Sequence, residues 1–369
     1  MVALCAQPDG IALPTDEGGW AALLALALEH GVAPLLFANL RERVLPVDAR
    51  DRLRHVYLTN AFRNDQLLAE QQRLVTAFSQ KSISVWPLKG PHLAQKLYGD
   101  FAVRQVADMD LLIRPADLAA CDVLLQSAGY ARQAQGDIAT LRDAGELLYL
   151  KTVENSRNQN VAGQEMGITF AVDLQQRVLP YGRRDLLADR IRAQDLTPVN
   201  LLLLLCVNQV AHRFARLKYL LDVAACLRKL PENFEWDEFT AVARLLDFTP
   251  GIYWSLAWAR AAADGPVPEH VLESLRPGWF ARRLATRALA EDPLAMLVRG
   301  ASLDGPAGAW AILACTRSGL PSARQLGRML FPPPATLRQE FFATPGRPIL
   351  YLYLARLARK LPAAFRRQS

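Results

Sequence analysis

Apolar residues recur at three- and four-residue spacing from Trp20 through Leu23, Leu24, Ala27 and Leu28. After a break at Gly31 the spacing resumes through Leu35, Leu36 and Leu40. That period lines one face of a helix, and the side-chain oxygen of Thr15 or Asp16 is suited to capping its first turn. A second periodic stretch over about 48–79 carries Leu53, Val56, Leu58, Phe62, Leu67, Leu68, Leu74 and Phe78. Residues 1–80 therefore read as a helical lead-in.

The pattern then changes. Residues 82–88 are short, β-branched and aromatic, which predicts a strand. Lys89-Gly90 punctuates it, and Pro91 suits the first position of a helix running to Tyr98. Residues 106–113 (VADMDLLI) predict a second strand, and Pro115 opens a helix over 116–127 that ends at Gly129. Two more strands are expected at 147–153 and 168–174. Strands interleaved with helices over 81–180 predict a small mixed-sheet α+β core. From 190 to 330 the pattern is helical again. Thr197 and Pro198 resemble an N-cap and first helical residue before 199–214, and a second helix is expected at 217–230. Phe331 and three prolines make a break, and the final segment, 331–369, predicts a basic amphipathic helix over 348–365.

Composition narrows the class. Of 369 residues, 51% are hydrophobic and 21% charged, ample for buried cores and incompatible with wholesale disorder. The net charge of +7 is local: residues 306–369 hold ten Arg or Lys against Glu340, a balance of +9, which leaves −2 for the rest. The basic character thus belongs to one segment and not to the core. The tail, with Arg356, Arg359, Lys360, Arg366 and Arg367, suits an anionic membrane surface, an acidic partner or nucleic acid, or packing against the core with its arginines in water. Five cysteines without a C-x-x-C pair argue against a disulfide framework or zinc ribbon. The first residues have no leader-like pattern, and the apolar run 201–207 falls short of the ~20 residues of a spanning helix. A cytoplasmic protein is the expectation.

Asp108 and Asp110 alternate along the expected strand, so both side chains should leave one face. Two carboxylates that close repel unless a cation lies between them, and carboxylates with substrate phosphates suit Mg²⁺. Asp173, near the end of another expected strand, could be brought alongside. An isolated Asp-x-Asp is a weak signal, since a solvated pair on an edge strand reads the same way. The surrounding order is more specific: Leu88-Lys89-Gly90, Leu97-Tyr98, Arg104, Asp108 to Ile113, and Gly129-Tyr130.

This order resembles the uncharacterised bacterial nucleotidyltransferase family of the polymerase-beta-like superfamily. The likeness covers roughly 18–230 and takes in the 30–36 segment, Asp173-Leu174, and the pair of expected helices carrying His212, Lys218 and Asp222. The resemblance implies a nucleotidyltransferase core flanked by N- and C-terminal helical domains. It implies that Asp108, Asp110 and Asp173 hold Mg²⁺ (or Mn²⁺), with Asp173 alternatively the base for an acceptor hydroxyl. Gly90 would admit phosphates close to the backbone, and Lys89, Arg104, His212 and Lys218 would contact the nucleotide. The implied reaction moves a nucleoside monophosphate from an NTP to a peptide, a sugar or another small molecule. Nucleotidylation of RNA or protein by a toxin-like relative is an alternative, with nucleic acid the less favoured partner. Two positions depart from the family pattern. Pro91 stands where serine is common and lacks an N–H; Gln175 stands where histidine is common and is neither acid nor base. They motivate the further alternative of a catalytically degenerate nucleotide-binding protein. No P-loop, nucleophile-elbow or Rossmann motif is present.

Overall fold

The computed structural model describes the chain except residues 7–8, 135–137, 139–144, 154–166, 180–184, 213, 247, 280–281, 284–347 and 361–369. The proline break, part of the expected 190–330 helical region and the basic chain end lie outside the described residues. The chain forms two compact units that interleave along the sequence. One holds residues 32–180 and 188–196, the other 1–31, 181–187 and 197–369. Among the described residues no helix is long and apolar enough to cross a membrane.

The first unit is α+β, as the sequence pattern predicts. After helices α1 (Val2–Ala6) and α2 (Glu17–Glu29) of the other unit come α3 (Ala33–Leu40) and the 34-residue α4 (Val47–Gln80). Next are β1 (Val85–Pro87), α5 (Pro91–Tyr98), β2 (Met109–Ile113), α6 (Leu118–Ser127), β3 (Ala131–Arg132), β4 (Glu146–Val153), β5 (Ile168–Gln175) and α7 (Leu186–Gln194). The sheet order is β1-β2-β5-β4-β3. β2 and β5 run parallel, and every other neighbouring pair is antiparallel.

Alternation along the strands gives this sheet two unlike faces. Met109, Leu111, Ile113, Val172, Leu174, Leu147 and Tyr149 point to one side, where Leu67, Leu74 and Phe78 of α4 and Leu118, Cys121 and Leu125 of α6 complete a buried core. Asp110, Asp173, Gln175 and Glu146 occupy the alternate positions. Burying the apolar set holds the register, because a one-residue slip would send those carboxylates into the core. Arg192 of α7 ties the strand ends together: its guanidinium donates to the carbonyls of Ile113, at 2.9 and 3.1 Å, and Gln176.

The second unit is helical where described. Asp16 caps α2 by accepting from the Gly19 N–H at 2.7 Å. Thr197 caps α8 (Pro198–Ala211) by accepting from the Asn200 N–H at 3.2 Å. Residues 199–210 of α8 are all buried, as an all-round apolar helix should be. Around it in sequence stand α9 (Leu217–Arg228), α10 (Trp236–Leu245), α11 (Thr249–Ala263) and α12 (Glu269–Leu275), and α13 (Ile349–Lys360) lies toward the chain end.

Candidate active site

The site grows from two neighbouring strands. In the parallel β2–β5 pair, Asp110 sits directly opposite Asp173. Side chains in register on adjacent strands share a face, so these two carboxylates, 63 positions apart in sequence, stand side by side. Asp108 differs from the expectation: β2 begins at Met109, so Asp108 belongs to the preceding loop and not to the strand. Its charge still bears on Asp173. The antiparallel β4 brings in a fourth carboxylate, Glu146, opposite Gln175.

Electrostatics follow from this crowding. Burial, then the negative charges of Glu146, Asp108 and Asp110, raise the Asp173 carboxyl well above the usual carboxylate range, against the pull of Lys89. Glu146 lies at the exposed rim, yet the protein packed around its carboxyl raises it too, with Asp110 and Asp108 adding to the effect. Asp110 is 5% exposed and accepts from two donors at one oxygen, Oδ1: the Gln175 amide at 2.7 Å and the Lys89 ammonium at 3.1 Å. Lys89 reaches it because β1 ends two residues earlier, at Pro87, and the next residue, Leu88, donates its N–H to the Asp110 carbonyl at 2.9 Å.

Beyond Lys89 the backbone turns at Gly90, with φ 126° and ψ −162°. That region is open essentially to glycine alone. A Cβ there would meet the Gln71 amide nitrogen at 3.4 Å and His92 Nδ1 at 3.7 Å. Pro91 then starts α5, as predicted. Burial, then the charges of Arg104 and Lys96, push the His92 imidazole down to about 4 despite Asp110, so it is neutral at pH 7. Its Nδ1 lies 3.3 Å from Gln71 Oε1. Arg104 is buried, and its carbonyl accepts from the Asn60 and Asn64 amides at 3.1 and 2.9 Å. It is thus anchored through its backbone to α4.

Lys89, Gly90, Arg104, Asp108, Asp110 and Asp173 therefore all belong to the sheet unit. His212 and Lys218 belong to the helical unit. There the His212 ring stacks on Tyr219 with centroids 4.3 Å apart, and the Lys218 ammonium stands 5.0 Å from the same Tyr219 ring. Sequence reasoning missed Glu146, whose one signal was an acid opening an apolar strand. It also read Gln175 as a lost histidine, although its amide is a donor to Asp110.

Chemically, three aspartates in mutual repulsion form a donor set suited to a hard divalent cation. Among the described residues, no three His, Cys, Asp or Glu side chains are gathered as a metal-holding group. The raised Asp173 carboxyl reflects carboxylates crowded together, which a cation would relieve, so the residues fit the ion by the chemistry of the donor set.

The comparison with known families decides the class. A family profile described as uncharacterised nucleotidyltransferase matches residues 16–264. The chain belongs to that family. Membership makes nucleotidyl transfer its general activity and a nucleoside triphosphate its donor. No curated protein and no solved structure matches the chain. The matched span takes in the whole Gly90 turn and the carboxylate strands, together with α8, α9, α10 and α11.

Proposed function

We propose that this chain moves a nucleoside monophosphate from an NTP to an acceptor hydroxyl on a peptide, sugar or other small molecule, with release of pyrophosphate. The observation that carries the reading is the side-by-side pairing of Asp110 and Asp173 across β2 and β5, with Asp110 met by Lys89, the residue before Gly90. Asp108, Asp110 and Asp173 would hold Mg²⁺ or Mn²⁺, which when bound would neutralise the triphosphate's charge. Gly90 would let phosphate oxygens approach the backbone, and Lys89 and Arg104 would balance their charge.

The acceptor oxygen would form a bond to the α-phosphorus as the bond to the bridging oxygen breaks. The electron pair leaves with pyrophosphate. As the alternative to holding the ion, Asp173 would take the acceptor's proton as general base. Most of the acceleration would come from positioning and from charges already in place.

Thermal unfolding with ATP, GTP, CTP and UTP, each with and without Mg²⁺, tests this on the native chain and on Asp108→Ala/Asp110→Ala. A bound nucleotide at a hundredfold excess over Kd stabilises by about 2.7 kcal/mol. The expected result is a metal-dependent rise for at least one nucleotide, lost in the double variant. No rise with any nucleotide would overturn the reading. Binding without pyrophosphate release in the presence of candidate acceptors would favour the degenerate alternative, for which Pro91, with its missing N–H, and Gln175 are the motive.

A further inference from the structure

We infer that Gln175 is a positioning residue for the cation site, aiming Asp110 by holding one of its two carboxylate oxygens. The inference rests on the reading above and adds a residue to it. Gln175 is 8% exposed and follows Asp173 by two positions on β5, so both leave the same face of the sheet. Its register partner on β2 is Leu112, which places Asp110 on the diagonal, within reach of a long side chain. The amide closes that distance, donating to Asp110 Oδ1 at 2.7 Å.

Lys89 meets the same oxygen. Two donors from opposite strand neighbours, β5 on one side and the end of β1 on the other, fix the carboxylate's rotation. Oδ2 is then the oxygen offered to an incoming ion. A glutamine suits this task in a way a charged donor does not. Its N–H₂ binds a carboxylate without adding positive charge beside a cation, and it has no proton to lose as pH changes. Hydrogen bonds of this kind, made to a ligand and not to the metal, orient ligating carboxylates in known metal sites.

The test is Mn²⁺ binding, followed by electron paramagnetic resonance of the free ion, on the native chain, Asp110→Asn, Gln175→Met and Gln175→Asn. Methionine keeps the length of glutamine without a donor; asparagine keeps the donor and loses the reach. Loss of an outer hydrogen bond weakens metal affinity by roughly 10–100-fold, and that is expected for both Gln175 variants, with circular dichroism unchanged. A native-like Mn²⁺ affinity in both, with Asp110→Asn impaired, would overturn the role of Gln175 and leave the nucleotidyltransferase site standing. Absence of Mn²⁺ binding in the native chain, or native binding by Asp110→Asn, would overturn that site and this inference together. Collapse of both Gln175 variants would also overturn it, since Gln175 would then be holding the fold and not aiming a ligand.

Discussion

Glu70 and Asp173 are acidic side chains on opposite sides of one sheet, and their surroundings have opposite sign. Glu70, on α4, meets Arg73 through two hydrogen bonds of 2.7 Å, the Tyr130 hydroxyl at 2.9 Å and the Lys151 ammonium at 3.3 Å. Burial works to raise its carboxyl, but those hydrogen bonds and the charges of Arg73 and Lys151 outweigh it and hold the group below its ordinary value. Asp173 has burial and three other carboxylates pressing the same way, with Lys89 alone opposing among the influences that shape it. One face has settled its charge internally and serves stability. The other holds a carboxyl that its neighbours raise, the condition expected where a ligand is meant to complete the site.

The comparison can be broken at several points. The largest effect should come from Asp110→Asn, which ought to lower nucleotidyl transfer by roughly 10²–10³-fold, the usual cost of removing a group that stabilises developing charge. Pyrophosphate release with the donor found by thermal shift reads it. A loss under tenfold would mean that the acidic face is not the reacting one. Glu70→Gln should leave nucleotide binding intact and cost about 2 kcal/mol of unfolding free energy in urea, because the buried Tyr130 hydroxyl and two partly exposed cations lose a charged acceptor. Unchanged stability would show that the Glu70 network is worth no more than an exposed ion pair.

Gly90→Ala should cost roughly 1–3 kcal/mol, since alanine does not tolerate the observed φ and ψ. It should also weaken NTP binding, as relief of that strain would shift the turn where phosphates are proposed to approach the backbone. Asp173→Asn should move the other way, gaining roughly 0.5–2 kcal/mol in the unliganded protein. The sign follows from the raised carboxyl: its contribution to stability is present below the ordinary aspartate range and lost as pH rises through the folded value. The gain should therefore be larger at pH 8.5 than at pH 5, and a gain independent of pH would speak against crowding as its cause. The smallest effect is at acid pH. Glu70 is held low, so its contribution is present above the ordinary glutamate value of about 4.3 and lost as pH falls through the lower folded one. The native chain should lose more stability than Glu70→Gln over that window, by melts in matched buffers.

Local grammar carried much of this structure. The Gly90-Pro91 start of α5, the Thr197 cap of α8 and the strand at 168–175 follow from residues next to one another. The pairing of Asp110 with Asp173 was suggested by two apolar runs that each carry an acid. What escaped is non-local. Glu146 joins the acids only because β4 folds back on β5, and no spacing in the chain signals that register. Gln175 looked like a missing acid–base group because a sequence names the residue lost and not the partner gained. Asp108 was expected inside β2, whereas the ladder with β5 starts at Met109. The Lys151–Glu70 contact spans 81 positions and depends on α4 lying along the core face of the sheet.

Arg192 has a consequence for anyone cutting this chain into pieces. It is supplied from beyond the last strand, after a stretch of residues that belongs to the other unit, and it donates to carbonyls at the ends of both strands that bear the paired aspartates. A fragment ended at residue 180 would keep every described strand and the four clustered carboxylates, yet leave those two carbonyls without their guanidinium donor. The shortest fragment that keeps this sheet together with its Arg192 donor runs from 32 to 196, and carries a short loan of sequence from its neighbour.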